Sequence, residues 1–392
     1  MSLGGAVLIV LTGACSGPGS PESTDSSFLA PSTAVPVECA TASAGADSSG
    51  ADSTSAGSDV AALNAGVDNL LQVFASKDAM RAVLVSVDGR TVVERYPGST
   101  AEESRNIYSV TKSVMSTLIG IAIADHRLAG LDQTFDQLLP DYASMMSPEV
   151  AGITLRQILT MTAGLPVDSD PSFEPTPDWI KAILTQGIDQ QPGLFFEYSN
   201  AAAHLLSAIL EKATGQSTLE YARQKLFDPV GISTEPATTM VKALGNQDAY
   251  NSTPGFAWPT DPQGHNVGYA GIKLAPRDLV ILGRLYLDRG QWDGAQVVPA
   301  EWVDQATCAQ VQTSLLMPGG GYGYMWWTME AAGDPAYVAA GYGGQLIMVV
   351  PARRLVIAVS SDTDFEGQDR LIDNQAVINL LSLDVLPAVP RR

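Results

Sequence analysis

A serine and a lysine stand three residues apart in Ser109-Val-Thr-Lys112, at the head of an apolar stretch carrying Val114, Met115, Leu118, Ile119, Ala122 and Ile123. That spacing predicts a helix over 110–124. Residues three apart on a helix share a face, so Lys112 can reach the Ser109 hydroxyl. A serine is a weak nucleophile until a neighbouring base takes its proton. Lysine serves as that base only where burial disfavours its ammonium form, and the apolar run supplies burial. The same four residues also fit a helix-start serine beside an ordinary exposed lysine, so the pair gains meaning only in company.

Two further groups supply the company. In Phe196-Glu197-Tyr198-Ser199-Asn200, just after the turn residues Pro192-Gly193, a tyrosine and an asparagine sit two apart at the start of a helical pattern. Both can face a cleft. A phenol can relay a proton between serine and leaving group, and an amide can orient a substrate carbonyl. A packed tyrosine and a capping asparagine would leave the same trace. Further on, Ala340-Gly341-Tyr342-Gly343-Gly344-Gln345 leads into the apolar run Leu346 to Val350. Clustered glycines before a strand allow close approach to the backbone. A strand N–H there could join the Ser109 N–H in an oxyanion hole. A plain glycine-rich turn is the bland alternative.

Ser-x-x-Lys, Tyr-x-Asn and a glycine-rich strand start, in this order, resemble the β-lactamase-related serine hydrolases. That family includes class C β-lactamases, DD-peptidases, carboxylesterases and 6-aminohexanoate-dimer hydrolases. The segments 153–166, 192–200, 269–279 and 322–327 are also similar to family segments, so the resemblance runs from about Val60 to the C-terminus. It implies an α+β fold in which an antiparallel sheet flanked by helices receives an inserted all-helical lobe. It implies Ser109 as the acylated nucleophile, Lys112 and Tyr198 as the proton-transfer network, and Asn200 as a substrate contact. The Ser109 and Tyr342 N–H groups would form the oxyanion hole, with Gly341, Gly343 and Gln345 as neighbouring substrate-binding positions. One departure matters. Penicillin-recognising members carry Lys-Thr-Gly at the third element, whereas no Lys or Arg lies between Glu330 and Ala352 here. A substrate carboxylate would lack its partner on that strand, which shifts the expectation from β-lactams toward esters or linear amides.

Other chemistries find little support. There are three histidines, His126, His204 and His265, and no Gly-x-Ser-x-Gly elbow. His126 sits at a polar helix end, His204 reads as packed, and His265 could line a cleft. No His-Glu-x-x-His or paired-cysteine spacing indicates a metal, and the glycines of 318–323 lack the Lys-Ser/Thr of a phosphate loop. No cofactor is expected.

Around these residues the chain alternates in a readable way. Val60, Leu63, Val67, Leu70, Leu71 and Phe74 recur at helical spacing behind a candidate cap, Asp59, although Gly66 interrupts the pattern. Two β-rich runs flank Asp88-Gly89, a hairpin signal. Helical patterns follow at 110–124, 155–162, 200–214 and 277–287, within a helical lobe expected over about 107–309. Strands return at 346–351 and 355–360, and a final helix is expected over 369–381. The first and last segments can share one sheet, with the helical lobe inserted between them and a cleft at the junction.

The N-terminal 58 residues read differently. Residues 1–14 read as a signal peptide whose apolar core, Ala6 to Thr12, is too short to span a bilayer. Thr12-Gly13-Ala14-Cys15 resembles a lipobox, so Cys15 is the expected lipidation site, although no Lys or Arg precedes the apolar run. Residues 15–58, rich in Ser, Thr, Gly, Ala and Asp, read as a flexible tether, and 59–392 as the catalytic domain. Cys39 and Cys308 either form a disulfide in an oxidising compartment or remain separate thiols. The expected place is the outer face of a bacterial membrane, with plain secretion as the alternative. A net charge of −20, with 16% charged residues, argues against nucleic acid as a natural partner. What remains is a small-molecule ester or amide hydrolase, with a β-lactamase, a D-Ala-peptidase or a non-catalytic surface binding module as rivals.

Overall fold

The structure, a computed structural model, describes residues 32–33, 58–166, 173–235, 250, 255–363 and 369–392. Helix α1 (Val60–Val73) is capped by Asp59, whose carboxylate accepts from the Ala62 amide at 3.0 Å. Gly66 has a packing reason: a Cβ there would collide with the Asp384 carbonyl oxygen. The bare glycine lets α1 seat on residues 381–385 and ties the two ends of the body together.

Eight strands form one antiparallel sheet. They are β1 (Met80–Val87), β2 (Arg90–Arg95), β3 (Val311–Gln312), β4 (Gly321–Tyr322), β5 (Trp327–Ala331), β6 (Asp334–Gly341), β7 (Gln345–Val350) and β8 (Leu355–Ser361). Their order is β2-β1-β8-β7-β6-β5-β4-β3. Asp88 and Gly89 turn the first hairpin with φ of 51° and 75°, the paired positive angles of a type I′ turn. β8 pairs with β1 from Leu355 opposite Val87 onward, so the first and last segments do share the sheet. Every residue of β7 and β8 is buried. Both faces are therefore covered, and these strands read as continuous apolar runs rather than alternating ones.

Four more helices bear on the site: α2 (Val110–Ala124), α3 (Asn200–Thr214), α4 (Pro276–Leu287) and α5 (Asn374–Leu380). α2 is buried from Val110 to Ala122, and a Cβ on Gly120 would collide with the Trp302 ring. It packs against α3 on one side and reaches β6 and β7 on another. This makes α2 the joint between sheet and helical insertion.

Several expectations need correction. α4, expected inside the helical lobe, packs on β8, β7 and β1. A Cβ on Gly283 would lie 2.9 Å from Ile347 and closer still to Val356. The insertion therefore ends before residue 276. The helix expected over 155–162 stops at Leu159, and Met161 takes a φ of 56°. The last helix starts at Asn374, behind the capping carboxylate of Asp373. Within the expected tether, Ser32–Thr33 pairs antiparallel with Phe195–Phe196. Cys308 is disulfide-bonded. Its partner lies outside the described residues, as do Cys15, Cys39 and the expected signal peptide.

Candidate active site

Two short pairings deliver the chain to the nucleophile helix. Arg105–Asn106 pairs with Lys273–Leu274, and the Ile107 amide donates to the Ile272 carbonyl at 2.9 Å. Tyr108 then adopts a φ of 46°, uncommon for a bulky residue, with its amide held by Asn106 Oδ1 at 2.8 Å. Ser109 follows as the N-cap of α2, and its side chain makes no capping bond. Its hydroxyl is thus left to other partners.

Those partners converge on Lys112, one turn into α2. The lysine is 1% exposed. Its Nζ lies 3.0 Å from Ser109 Oγ, 2.8 Å from Asn200 Oδ1 and 3.1 Å from the Tyr269 carbonyl oxygen. Asn200 is the first residue of α3, placed there by Ser199, whose hydroxyl caps the helix at the Ala202 amide. Tyr198 stands just ahead of that cap. Its ring stacks on Trp327 at 5.5 Å and 22°, and the Lys112 Nζ lies 4.7 Å from its centre. Burial pushes the Tyr198 phenol above its ordinary pKa, and a hydrogen bond with the Ser109 side chain opposes that rise. Ser109, Lys112, Tyr198 and Asn200, all singled out in the sequence, meet at one point where α2, α3 and the sheet adjoin.

The Tyr269 carbonyl is a contact that sequence reasoning missed. A backbone oxygen leaves no residue signature. The only hint was that Tyr269-Ala-Gly resembles a family segment. The loop that presents it is fixed from below by His204, fully buried on α3. His204 Nδ1 accepts from the Gly268 amide at 3.3 Å, so Nε2 carries the ring proton and donates to Asp261 at 3.2 Å. His204 is thus committed to packing and loop support. His265, a candidate cleft residue, is bonded through Nδ1 to Glu211 at 2.6 Å. His126 is exposed.

On the other side of Ser109 lies the turn between β6 and β7. Gly341 ends β6, and a Cβ there would collide with the Ile107 carbonyl and lie 3.2 Å from the Ser109 amide nitrogen. Glycine alone lets the two backbones come so close. Tyr342 follows, half-buried, with its ring 5.6 Å from that of Tyr108. Gly343 and Gly344 complete the turn with φ of 74° and 96°. Two expected substrate contacts are displaced. Gly343 is buried, and its carbonyl accepts from the Ser361 hydroxyl. Gln345 is 0% exposed and its amide is spent on Ser361. Both shape the turn from behind instead of facing a ligand. Among the described residues, no group of three or more His, Cys, Asp or Glu is arranged to hold a metal ion.

Comparison with known proteins gives a consistent picture. A family model described as Beta-lactamase matches residues 76–382. The chain is 26% identical over 308 residues to penicillin-binding protein 4 of Amycolatopsis lactamdurans, covering 72% of this chain and 80% of that protein. It is 22% identical over 273 residues to the 6-aminohexanoate-dimer hydrolase of Paenarthrobacter ureafaciens, covering 63% of each. Among solved structures, a D-stereospecific amidohydrolase from a Streptomyces species superposes with a TM-score of 0.61 at 20% identity, over 80% of this chain and 97% of that one. This last likeness is one of fold.

Proposed function

The chain belongs to the β-lactamase family, and from that premise we propose that it hydrolyses carboxylic esters through an acyl-enzyme on Ser109. The observation that carries the reading is the set of partners around Lys112. A neutral amine has two N–H groups and one lone pair. Asn200 Oδ1 and the Tyr269 carbonyl can only accept, so they take the two N–H groups. In the neutral form the lone pair can accept from the Ser109 hydroxyl, whose oxygen lies 3.0 Å from Nζ. In this arrangement Lys112 is the base that the serine requires.

The steps follow from the same geometry. Ser109 Oγ gives its proton to Lys112 and attacks the ester carbonyl. The oxyanion lies between the Ser109 and Tyr342 N–H groups. Burial keeps Tyr198 protonated, so it acts as the acid: it donates to the departing alkoxide as the carbon–oxygen bond breaks, and Lys112 returns the proton to it. Asn200, with its oxygen turned to Lys112, offers its amide N–H groups to substrate. A water then attacks the acyl-enzyme, losing its proton to the same pair, and releases the acid and Ser109.

Esters are preferred over β-lactams because β6 and β7 carry no cation to receive a substrate carboxylate. Linear amides are the second reading, favoured by the relative named as a 6-aminohexanoate-dimer hydrolase. A Cys15 lipid anchor, holding the enzyme at the outer face of the membrane, completes the proposal. The test is turnover of matched p-nitrophenyl esters, p-nitroanilides and a chromogenic cephalosporin by wild type and Ser109→Ala. Ester turnover that is highest in wild type and lost in the variant supports the proposal. Equal turnover by the two proteins overturns it.

A further inference from the structure

The backbone on both sides of Ser109 is tied to one patch of polar side chains behind the β6–β7 turn, buried at Asn374, Ser361 and Gln345 and half-buried at Thr363. The peptide joining Gly341 to Tyr342 is planar, so its N–H points opposite to its C=O. That C=O accepts from Asn374 Nδ2 at 2.9 Å, at the first position of α5. Asn374 is buried, so this bond fixes the direction of the Tyr342 N–H. The next carbonyl but one, on Gly343, accepts from the Ser361 hydroxyl. Ser361 is itself held by Gln345: Nε2 donates to the Ser361 carbonyl at 2.7 Å and to its Oγ at 3.1 Å, and the Ser361 amide returns a bond to Oε1 at 3.3 Å. The β8–β1 register shifts between Ser360 and Ser361, the kind of irregularity that re-aims a side chain. Two residues on, Thr363 Oγ1 lies 2.5 Å from the Tyr108 hydroxyl. Tyr108 is the positive-φ residue whose peptide carries the Ser109 N–H.

We propose that Asn374 and Ser361, backed by Gln345 and with Thr363 on the far side, are positioning residues that set the directions of the Tyr342 and Ser109 N–H groups. This rests on the reading of those groups as the oxyanion hole of a Ser109 acyl-enzyme. Asn374, Ser361 and Gln345 are buried away from any substrate. Their effect comes through the peptide planes they hold, and it appears only where negative charge develops on the substrate oxygen.

The experiment compares Asn374→Ala, Ser361→Ala and Ser109→Ala with wild type on one p-nitrophenyl ester. kcat, KM, the pH profile and inhibition by a boronic acid are measured. A lost oxyanion donor costs about 10²–10³ in kcat, so a misdirected donor should cost roughly 10–10². The expected result is a fall of that size in kcat for both alanine variants. KM and the pH profile should stay unchanged, and boronic acid affinity should weaken by a similar factor. Ser361→Ala removes one hydroxyl and decides the matter if Asn374→Ala does not fold. Wild-type kcat in the folded variants, with Ser109→Ala inactive, overturns the positioning role alone. A fall carried by KM or by a shifted pH profile overturns it as well. Activity retained in Ser109→Ala overturns the underlying reading.

Discussion

The two sides of Ser109 are built from different materials. On the α3 side the contacts are side chains: Lys112, Tyr198 and Asn200, joined by one carbonyl from Tyr269. On the sheet side they are backbone: the Ser109 amide, the close approach of Gly341, and the Tyr342 peptide held from behind by Asn374. Proton transfer needs groups whose protonation can change, and only side chains supply them. Stabilising an oxyanion needs fixed dipoles that do not reorganise, and backbone N–H groups in a sheet supply those. The division teaches where each side is fragile. One fails when a single side chain is altered, the other when a peptide plane tilts.

Substitutions can break this comparison, and their expected effects fall in order. Ser109→Ala serves both sides, and a nucleophile deletion costs on the order of 10⁴–10⁶ in kcat. Steady-state ester hydrolysis checks it. Lys112→Ala removes the proposed base and the amine that Asn200 Oδ1 and the Tyr269 carbonyl contact. The expected loss is roughly 10³–10⁴ in kcat/KM, at the upper end for a general base. Gly341→Ala attacks the other side, because its Cβ collides with the Ile107 carbonyl. About 10²–10³ in kcat should go, the size of one lost oxyanion donor. An unchanged pH profile in that variant shows that the proton-transfer side is intact.

Tyr198→Phe should cost about 10² in kcat, at the lower end for a proton relay. Its pH behaviour has a definite sign. Burial raises the Tyr198 pKa above the ordinary phenol value of 10.0. The phenol therefore stays protonated as the pH rises through 10, and the wild-type rate should show no alkaline fall that vanishes in Tyr198→Phe. A fall below pH 10 that the phenylalanine abolishes contradicts the assignment of Tyr198 as the acid.

The smallest catalytic effect is expected away from both sides, at Asp278 in the first turn of α4. Burial pushes its pKa up to about 6, against the Ala275 amide and Arg277, which lower it. The folded state then holds a proton that the unfolded state has lost between about 4 and about 6. Stability should fall as the pH rises through that window. Asp278→Asn keeps an acceptor for the Ala275 amide, 3.0 Å away. It should flatten the pH dependence and raise Tm at pH 7 by an amount worth no more than ~3 kcal/mol, with ester turnover unchanged. Thermal melts from pH 4 to 8 check it.

The same division decided what could be read from the sequence. Ser109, Lys112, Tyr198 and Asn200 meet through their side chains, so their types and spacing pointed to them. Tyr269 meets Lys112 through its carbonyl, which any residue would supply. Gln345 misled for a related reason. A terminal amide before a strand suits a substrate contact and an internal brace equally, and only its burial against Ser361 separates the two. In the fold, Asp88-Gly89 and the runs at 346–350 and 355–360 marked their strands. β6 (Asp-Pro-Ala-Tyr-Val-Ala-Ala-Gly) did not, because alanine and proline are weak strand formers and its place is set by its neighbours. α4 was legible as a helix, but periodicity carries no information on which layer receives it.

The most direct test is mass spectrometry of the intact protein and its peptides after reaction with a fluorophosphonate, run in parallel on wild type, Lys112→Ala and Ser109→Ala. The expected result is one adduct on Ser109 in wild type, formed far more slowly in Lys112→Ala and absent in Ser109→Ala. An unmodified Ser109 in wild type, or labelling that is as fast without the Lys112 amine, contradicts a lysine-activated serine at the centre of this site.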